Sequence, residues 1–303
     1  MSKKLSSTGS PLRPDTLKGG PGDKALRSRL RGLAHIALDM DGTIYRGGTL
    51  FPWTQPFLER MRALGIGCTF LTNNPTKSVP DYLAHLERMG LHAAADQLYT
   101  SAQATIDWLR RRHPEVRRVF ALGTPSMLEE FRQAGFDLAE DDPADAPDAV
   151  VVGFDMTLAY RRVCRAAWWI QQKKIYVATN PDRVCPTDQP TVLVDCGSIC
   201  AMLEKATGRA PDVVFGKPDP TMLRGILDRH GLKPRQIAMV GDRIYTDVRM
   251  AQRAKAFSVL VLTGEATARD AREADPPPHL VVPSLAELGA MLEAARAGRP
   301  LTA

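Results

Sequence analysis

The segment IALDMDGTIY, from Ile36 to Tyr45, decides how the rest of the chain is interpreted. It is an apolar run that ends in two aspartates, Asp39 and Asp41, with a single residue between them. Two carboxylates this close raise each other's pKa unless a cation or hydrogen bonds compensate them. The segment is therefore either a strand that ends in an ordinary Asp-Gly turn or a strand that delivers two acids to a site. The other apolar runs of the chain separate these alternatives.

Eight short apolar runs between residue 32 and the C-terminal region predict buried strands. Amphipathic segments lie between them, which is the pattern of parallel sheets covered by helices on both faces. Eight strands are more than one small sheet holds, so two α/β units are plausible. The predicted strands are LAHIALD, GCTFLT, RVFALG, AVVVGF, IYVAT, DVVFG, QIAMVGD and FSVLVLTG.

Three of the intervening helices have clear start and stop signals. One is predicted from about residue 56 to 64, before a glycine, and a second begins near Ser78, with Asp81 three residues on, and ends at Gly90. The third is predicted from residue 198 to the glycine at 208. It places four apolar residues on one face: Ile199, Met202, Leu203 and Ala206.

Composition is that of a globular protein, with 44% hydrophobic and 24% charged residues in 303. This length allows one large domain or two of ordinary size. No apolar run approaches the roughly 18 residues of a membrane-spanning helix, and the N-terminus lacks the apolar region of a signal peptide. We therefore predict a cytoplasmic protein without a membrane partner.

The formal charge of +6 is concentrated at the N-terminus. Residues 1–31 carry eight basic and two acidic side chains, whereas the remaining 272 residues carry 32 of each. This region is also rich in Gly, Pro and Ser, so we predict a disordered basic tail over residues 1–31. Nucleic-acid binding through this tail is a minor alternative, which salt-dependent DNA retention would reveal.

The five cysteines favour neither a disulfide framework nor a zinc site. Their number is odd, and most lie in apolar stretches. Cys196 and Cys200 are four residues apart and could share a helix face, but no second pair completes a zinc site. We interpret them as core thiols.

Polar groups follow four of the predicted strands, where ligands bind in open parallel sheets. Asp39 and Asp41 follow the first, Thr72 the second and Lys217 a later one, and two more acids come after QIAMVG: Asp242 and Asp247. Each alone has an ordinary explanation, such as a turn cap for Thr72 or a solvated loop for Lys217. Together, carboxylates suit Mg²⁺, and a hydroxyl and an ammonium suit a phosphate.

These four segments resemble the motifs of the haloacid dehalogenase superfamily. The first motif is DxDGT at residues 39–43, the second is Thr72 in LTNN, the third is Lys217 in GKPDP, and the fourth is the acidic pair in GDRIYTD. The resemblance covers roughly residues 33–285. It implies a Rossmann-like, doubly wound parallel-sheet core of the α/β class.

DGTIYRGG, TNNPTKS and GKPDPTML further resemble the p-nitrophenyl phosphatase and ribonucleotide monophosphatase branch. That branch carries an α/β cap domain inserted between the second and third motifs, and RVFALG, AVVVGF and IYVAT would form its separate sheet. The resemblance therefore predicts a core of residues 32–107 and 212–303 with a cap of residues 108–211. It also favours a homodimer.

The family implies a role for each motif residue. Asp39 would attack phosphorus to give an aspartyl-phosphate, and Asp41 would protonate the leaving alcohol and later deprotonate the hydrolytic water. A halide leaving group needs no proton, so Asp41 favours phosphate esters over haloacids. The implied Mg²⁺ ligands are Asp39, the Asp41 backbone carbonyl, Asp242 and Asp247. The implied phosphate-binding residues are Asp39, Gly42, Thr43, Thr72, Asn73 and Lys217.

Asn180, Pro181 and Asp182 lie on the cap loop that, in the resembling branch, contacts the leaving group, so they are candidate substrate-binding residues. The predicted function is Mg²⁺-dependent hydrolysis of small phosphate esters, of nucleoside monophosphate, sugar phosphate or p-nitrophenyl phosphate type. Two alternatives stay open: a phosphotransferase that passes the phosphoryl group to a second alcohol, and a non-catalytic binding or regulatory protein.

Overall fold

The computed structural model describes residues 21–185 and 189–301. Its strands are β1 (His35–Asp39), β2 (Tyr45–Arg46), β3 (Thr49–Leu50), β4 (Gly67–Thr72), β5 (Leu98–Thr100), β6 (Arg118–Leu122), β7 (Asp137–Leu138), β8 (Ala149–Val152), β9 (Ile175–Ala178), β10 (Val184–Cys185), β11 (Leu193–Val194), β12 (Val213–Val214), β13 (Ile237–Gly241), β14 (Phe257–Val261) and β15 (Leu280–Val282).

Helices connect most of these strands. They are α1 (Pro21–Arg31), α2 (Thr54–Ala63), α3 (Val79–Arg88), α4 (Ser101–Arg112), α5 (Pro125–Gln133), α6 (Tyr160–Gln171), α7 (Cys196–Thr207), α8 (Thr221–His230), α9 (Arg249–Arg253), α10 (Ala268–Glu273) and α11 (Leu285–Arg296). A π-helix spans Ile244–Val248, and short 3₁₀ helices span Ala95–Gln97 and Pro234–Gln236. Within the described ranges, none of these helices is long and apolar enough to cross a membrane.

A six-stranded parallel sheet, in the order β15-β14-β13-β1-β4-β5, forms the larger unit. His35 of β1 is in register with Ile237 of β13, and Asp39 with Leu71 of β4. The strands are apolar throughout because helices cover both faces, which the two large core clusters on this sheet reflect. This arrangement confirms the predicted doubly wound α/β fold.

A second parallel sheet of five strands, β12-β9-β8-β6-β7, forms from the middle of the chain. RVFALG, AVVVGF and IYVAT form three of its strands, as expected for a separate sheet. DVVFG departs from the prediction, because Val213 and Val214 pair with Val177 and Ala178 of this second sheet although they lie beyond the predicted border at residue 211. The second sheet therefore extends to Val214.

The predicted disordered tail is wrong for residues 21–31, which form helix α1. Leu30 is fully buried and Leu26 packs beside it, four residues apart on one helix face, in the core cluster that also contains residues of α11. This apolar stripe is short and lies among basic residues, so composition alone predicts a tail here. Residues 1–20, the rest of the predicted tail, lie outside the described residues.

The helix predictions were accurate in position and less so at the ends. Helix α3 begins after Ser78, whose side chain forms the predicted capping box with Asp81. Helix α7 begins two residues earlier than predicted, because Asp195 caps it. Its buried face contains Cys196 and Cys200 with Ile199 and Leu203, whereas Met202 and Ala206 of the predicted apolar face are exposed.

A buried histidine is expected to make the folded state less stable at acidic pH. His35 in β1 forms a hydrogen bond of 2.8 Å with Thr69, and burial, with a smaller contribution from His230, lowers its pKa to about 4. The unfolded chain therefore binds more protons than the folded one between pH 6.5 and pH 4. We expect this group to reduce the free energy of unfolding by up to about 3 kcal/mol as the pH falls through that window.

Urea unfolding at several pH values between 7 and 4 measures this effect. His35→Gln removes the titrating group and should flatten the pH dependence, whereas His92→Gln, at an exposed histidine, should leave it unchanged. A wild-type slope in His35→Gln would contradict the assignment.

Candidate active site

Three neighbouring strands bring the first, second and fourth motifs to one edge of the six-stranded sheet. Asp39 ends β1, Thr72 ends β4 and Asp242 follows β13, and these strands are adjacent and parallel. Lys217 reaches the same place from the segment that follows the second sheet, three residues after β12. A cavity of about 430 Å³ opens here, lined by residues of both units that include Asp39, Asp41, Thr72, Asn73, Asp182 and Lys217.

The acids and the lysine form a buried cluster. Carboxylate oxygens of Asp39, Asp242 and Asp247 lie within 4.8 Å of one another. Lys217 Nζ contacts Asp39 and lies 2.7 Å from Asp247 Oδ1. Burial raises the pKa of Asp247 to about 7, opposed by Lys217 and reinforced by the other two carboxylates. Burial acts to lower the pKa of Lys217, but its two carboxylate partners outweigh this and raise the pKa.

This cluster fits a divalent cation. When ionised, three carboxylates and one ammonium leave two negative charges, which one divalent ion would balance. Asp242 Oδ2 accepts from Glu265 N at 2.7 Å, but its buried Oδ1 has no hydrogen-bond partner in the described part of the chain. Carboxylate oxygens are the ligands that Mg²⁺ prefers. The three predicted carboxylate ligands are thus brought together, whereas the Asp41 carbonyl as a ligand and the metal itself stay predictions.

The turn after β1 separates the two aspartates. Asp41 is exposed and accepts a 3.3 Å hydrogen bond from Gly47 N, so its carboxyl is accessible from the cavity. Gly42 has φ +83°, and a Cβ there would lie 2.6 Å from Asp242 Oδ2. Only glycine therefore lets the first motif approach the fourth this closely. Thr43 Oγ1 lies 3.4 Å from Asp39 Oδ2 and donates weakly to it.

The loop after β4 is held by its own side chains. Thr72 Oγ1 accepts from Asn74 N at 3.2 Å, and Ser101 Oγ donates to Asn73 O at 2.6 Å. The Asn73 side chain clamps the backbone of Lys217, accepting from its N–H at 2.6 Å and donating to its carbonyl at 3.1 Å. The candidate phosphate loop and the lysine are thereby fixed relative to each other.

The loop after β9 contacts this clamp. Asp182 Oδ2 accepts from Asn73 Nδ2 at 3.0 Å, across 109 residues of sequence. Asn180 is fully buried and donates to Asp182 at 3.2 Å and to Asp195 at 2.9 Å. Burial raises the pKa of Asp195 to about 6, although Asn180 opposes the shift. Asp182 lines the cavity, whereas Asn180 and Pro181 are not part of its wall; a substrate contact by these three residues stays a prediction.

We expect Asp182→Ala to lower kcat/KM by about tenfold for every substrate. The substitution removes the carboxylate that accepts a hydrogen bond from Asn73, and Asn73 in turn holds Lys217. Asp182→Asn keeps an oxygen acceptor and should recover most of the loss. Steady-state kinetics on two substrates with different leaving groups measures this, with the exposed Asp137→Ala as a control. A loss confined to one leaving group would instead assign Asp182 to substrate binding.

The cavity also contains residues that the sequence did not single out. They are Met40, Tyr45, Asn74, Lys77, Tyr82, Arg183, Val184, Cys185, Asp195, Arg243, Tyr245, Thr246 and Glu265. Arg243 lies 2.9 Å from Glu265, which also accepts from the Tyr245 hydroxyl at 3.0 Å. Two of these residues are cations that lie within the motif segments of the sequence: Lys77 in TNNPTKS and Arg243 directly after Asp242.

Family models match both parts of the larger unit. A model described as haloacid dehalogenase-like hydrolase matches residues 36–137, and one described as HAD-hydrolase-like matches residues 214–288. Strands β8 and β9 of the second sheet lie between these ranges, and the ranges contain all four motifs.

Solved structures and curated proteins resemble nearly the whole chain. A 4-nitrophenylphosphatase from Thermotoga maritima is 38% identical, with a TM-score of 0.80, over 86% of this chain and 98% of that one. The ribonucleotide monophosphatase NagD of Escherichia coli is 29% identical over 84% of this chain and 98% of its own. A glycerol phosphate phosphatase from Mycobacterium tuberculosis, solved in complex with magnesium, is 31% identical with a TM-score of 0.76, over 85% of this chain and 76% of that one.

Proposed function

Because the chain belongs to the haloacid dehalogenase-like hydrolases, we propose that it is a phosphatase of small phosphate monoesters. The observation that carries the proposal is that Asp39, Asp41 and Lys217 line one cavity while Asp242 lies beside Asp39 in the acid cluster. Relatives named as phosphatases of nitrophenyl, nucleotide and glycerol esters support the reaction class.

In the proposed mechanism Asp39 is the nucleophile. Its carboxylate oxygen forms a bond to phosphorus while the bond to the leaving oxygen breaks, which gives an aspartyl-phosphate. Asp41 donates a proton to the leaving alcohol. It then accepts a proton from the water that attacks phosphorus, and the bond to Asp39 breaks to release phosphate. The exposure of Asp41, beside a buried Asp39, supports this division of roles.

Charge at the phosphoryl group is balanced by fixed groups. Lys217 neutralises part of it, and Thr72, with the backbone N–H groups of the loop, would hold the oxygens in line. Mg²⁺ bound by Asp39, Asp242 and Asp247, with the Asp41 carbonyl, would supply positive charge beside the transferring group. Gly42 and Thr43, adjacent to these groups, complete the proposed phosphate site.

Phosphate release from a panel of metabolites, with Mg²⁺ and with EDTA, tests the proposal. We expect release that depends on the metal and returns when Mg²⁺ is added back. Release into a second alcohol rather than water would favour the phosphotransferase. A folded protein that binds Mg²⁺ and releases no phosphate from any compound would favour a binding or regulatory role.

We propose that the chain is organised as a core with an inserted cap. The separate five-stranded sheet supports residues 108–211 as the body of the cap, between core segments 32–107 and 212–303, with β12 extending the cap side to Val214. A homodimer formed through this cap is part of the proposal. Sedimentation velocity tests it. The support is a set of apolar side chains that the cap exposes: Met156, Tyr160, Trp168, Val184, Val192, Val194 and Met202.

A further inference from the structure

The cations that line the cavity differ in whether they have a carboxylate partner. Its walls contain four cations, of which two have carboxylate partners: Lys217 with Asp39, and Arg243 with Glu265. The other two, Lys77 and Arg183, have no ion pair among the described residues. Neither has a role in the mechanism proposed above.

The carboxylates of the cavity are already engaged. Each accepts at least one hydrogen bond from another group, and among the described residues none forms an ion pair with Lys77 or Arg183. These contacts are Gly47 N to Asp41, Asn73 and Asn180 to Asp182, Asn180 and Cys196 N to Asp195, and Arg243 and Tyr245 to Glu265.

Lys77 lies on the core wall. It is five residues after Thr72 in the candidate phosphate loop, half-buried, with Nζ 5.7 Å from the centre of the Tyr82 ring. Burial lowers its pKa, and Arg88 lowers it further, although Asp81 opposes them. The Asp81 carboxylate is itself held by the N–H and hydroxyl of Ser78. The ammonium is thus partly desolvated without a paired anion.

Arg183 lies on the wall that the second unit forms, in the loop after β9. Its carbonyl accepts from Ser198 Oγ at 2.7 Å and from Asp195 N at 3.0 Å, so its backbone is fixed. The preceding residue, Asp182, is bound to Asn73 of the core. The residue is exposed and lines the cavity, and its guanidinium is a planar fork that suits carboxylates and phosphates.

We propose that the preferred substrates are phosphate esters whose leaving alcohol carries a second anionic group, a carboxylate or a further phosphate, bound by Lys77 and Arg183. This inference rests on the proposed phosphatase function and narrows it. Esters of neutral alcohols fit the same cavity of about 430 Å³ but leave the two cations unpaired. A charged leaving group gains a charge-assisted hydrogen bond from each wall.

Matched pairs of substrates test the proposal. 3-Phosphoglycerate and glycerol 3-phosphate differ by a carboxylate in place of a hydroxymethyl group, and fructose 1,6-bisphosphate and fructose 6-phosphate differ by a second phosphate. We expect kcat/KM to be at least about tenfold higher for the charged member of one pair or both. The pair with the larger ratio identifies the anion.

Variants connect the preference to the two cations. Lys77→Met and Arg183→Met should each reduce the ratio of charged to neutral substrate by about tenfold, and Lys77→Arg should restore much of it. Lys205→Met, at an exposed lysine of α7, should leave the ratio unchanged. Melting temperatures of all variants identify any that fail to fold.

Two outcomes would overturn the inference while leaving the phosphatase function intact. One is equal kcat/KM for the members of both pairs. The other is a preference for charged esters that both Met variants retain. Absence of phosphate release from all four compounds and from p-nitrophenyl phosphate would instead count against the proposed function itself.

Discussion

Asp39→Asn is expected to lower phosphate release by at least about 10⁴-fold, the scale of loss that follows removal of a nucleophile. The amide has no charged oxygen to attack phosphorus, so the covalent route is closed. The shape of the side chain is retained beside Thr43 and Lys217, so the loss should not come from misfolding. The variant also removes one of the two carboxylates that contact Lys217.

Rates with p-nitrophenyl phosphate and Mg²⁺ measure the loss, and mass spectrometry of rapidly quenched protein detects the phosphorylated aspartate. Wild type should show the added phosphoryl group, and Asp39→Asn should not. Asp96→Asn makes the same change at an exposed aspartate and should retain full activity. Retention of more than about a tenth of the wild-type rate by Asp39→Asn would exclude Asp39 as the nucleophile.

Lys217→Met is expected to have the second largest effect, a loss of about 10²–10³-fold in kcat, because a buried positive charge beside the phosphoryl group is removed. Without metal it should also destabilise the fold by about 3 kcal/mol, since Asp39 and Asp247 lose their shared cation. Lys217 is only 5% exposed, so water cannot replace it.

The affinity for Mg²⁺ should rise in Lys217→Met although its activity falls. The ammonium repels a cation from the acid cluster, so its removal should tighten Mg²⁺ binding even though activity falls. Thermal unfolding with and without Mg²⁺ should therefore give a larger metal-induced rise in Tm for Lys217→Met than for wild type. Lys205→Met should behave as wild type. A smaller rise in Lys217→Met would show that Lys217 does not share the cluster with the metal.

Much of the fold follows from local sequence patterns. The eight predicted apolar runs all form strands, most of them buried on both faces of a sheet. Patterns of three residues are too short to recognise, so β5 and β15 were not predicted. Sheet membership was also beyond reach for β12: two valines carry no information on which neighbouring strand they will pair with.

The site shows the same division between local and distant information. Order and strand context indicated which motif residues would meet, because parallel strands align their carboxyl ends. The Asn73–Asp182 bond joins residues 109 apart, and no local pattern predicts it. That Lys77 and Arg183 line one cavity without an ion pair among the described residues follows only from the folded geometry.

The strand order has a consequence for folding during synthesis on the ribosome. β1 lies between β4, close in sequence, and β13, about 200 residues away, so the six-stranded sheet cannot be completed until β13 has been synthesised. The five-stranded sheet is contiguous in sequence and can close first. A nascent chain that stops before residue 237 holds Asp39 without Asp242, and therefore lacks the acid cluster altogether. The acid cluster is therefore assembled late, after the five-stranded sheet.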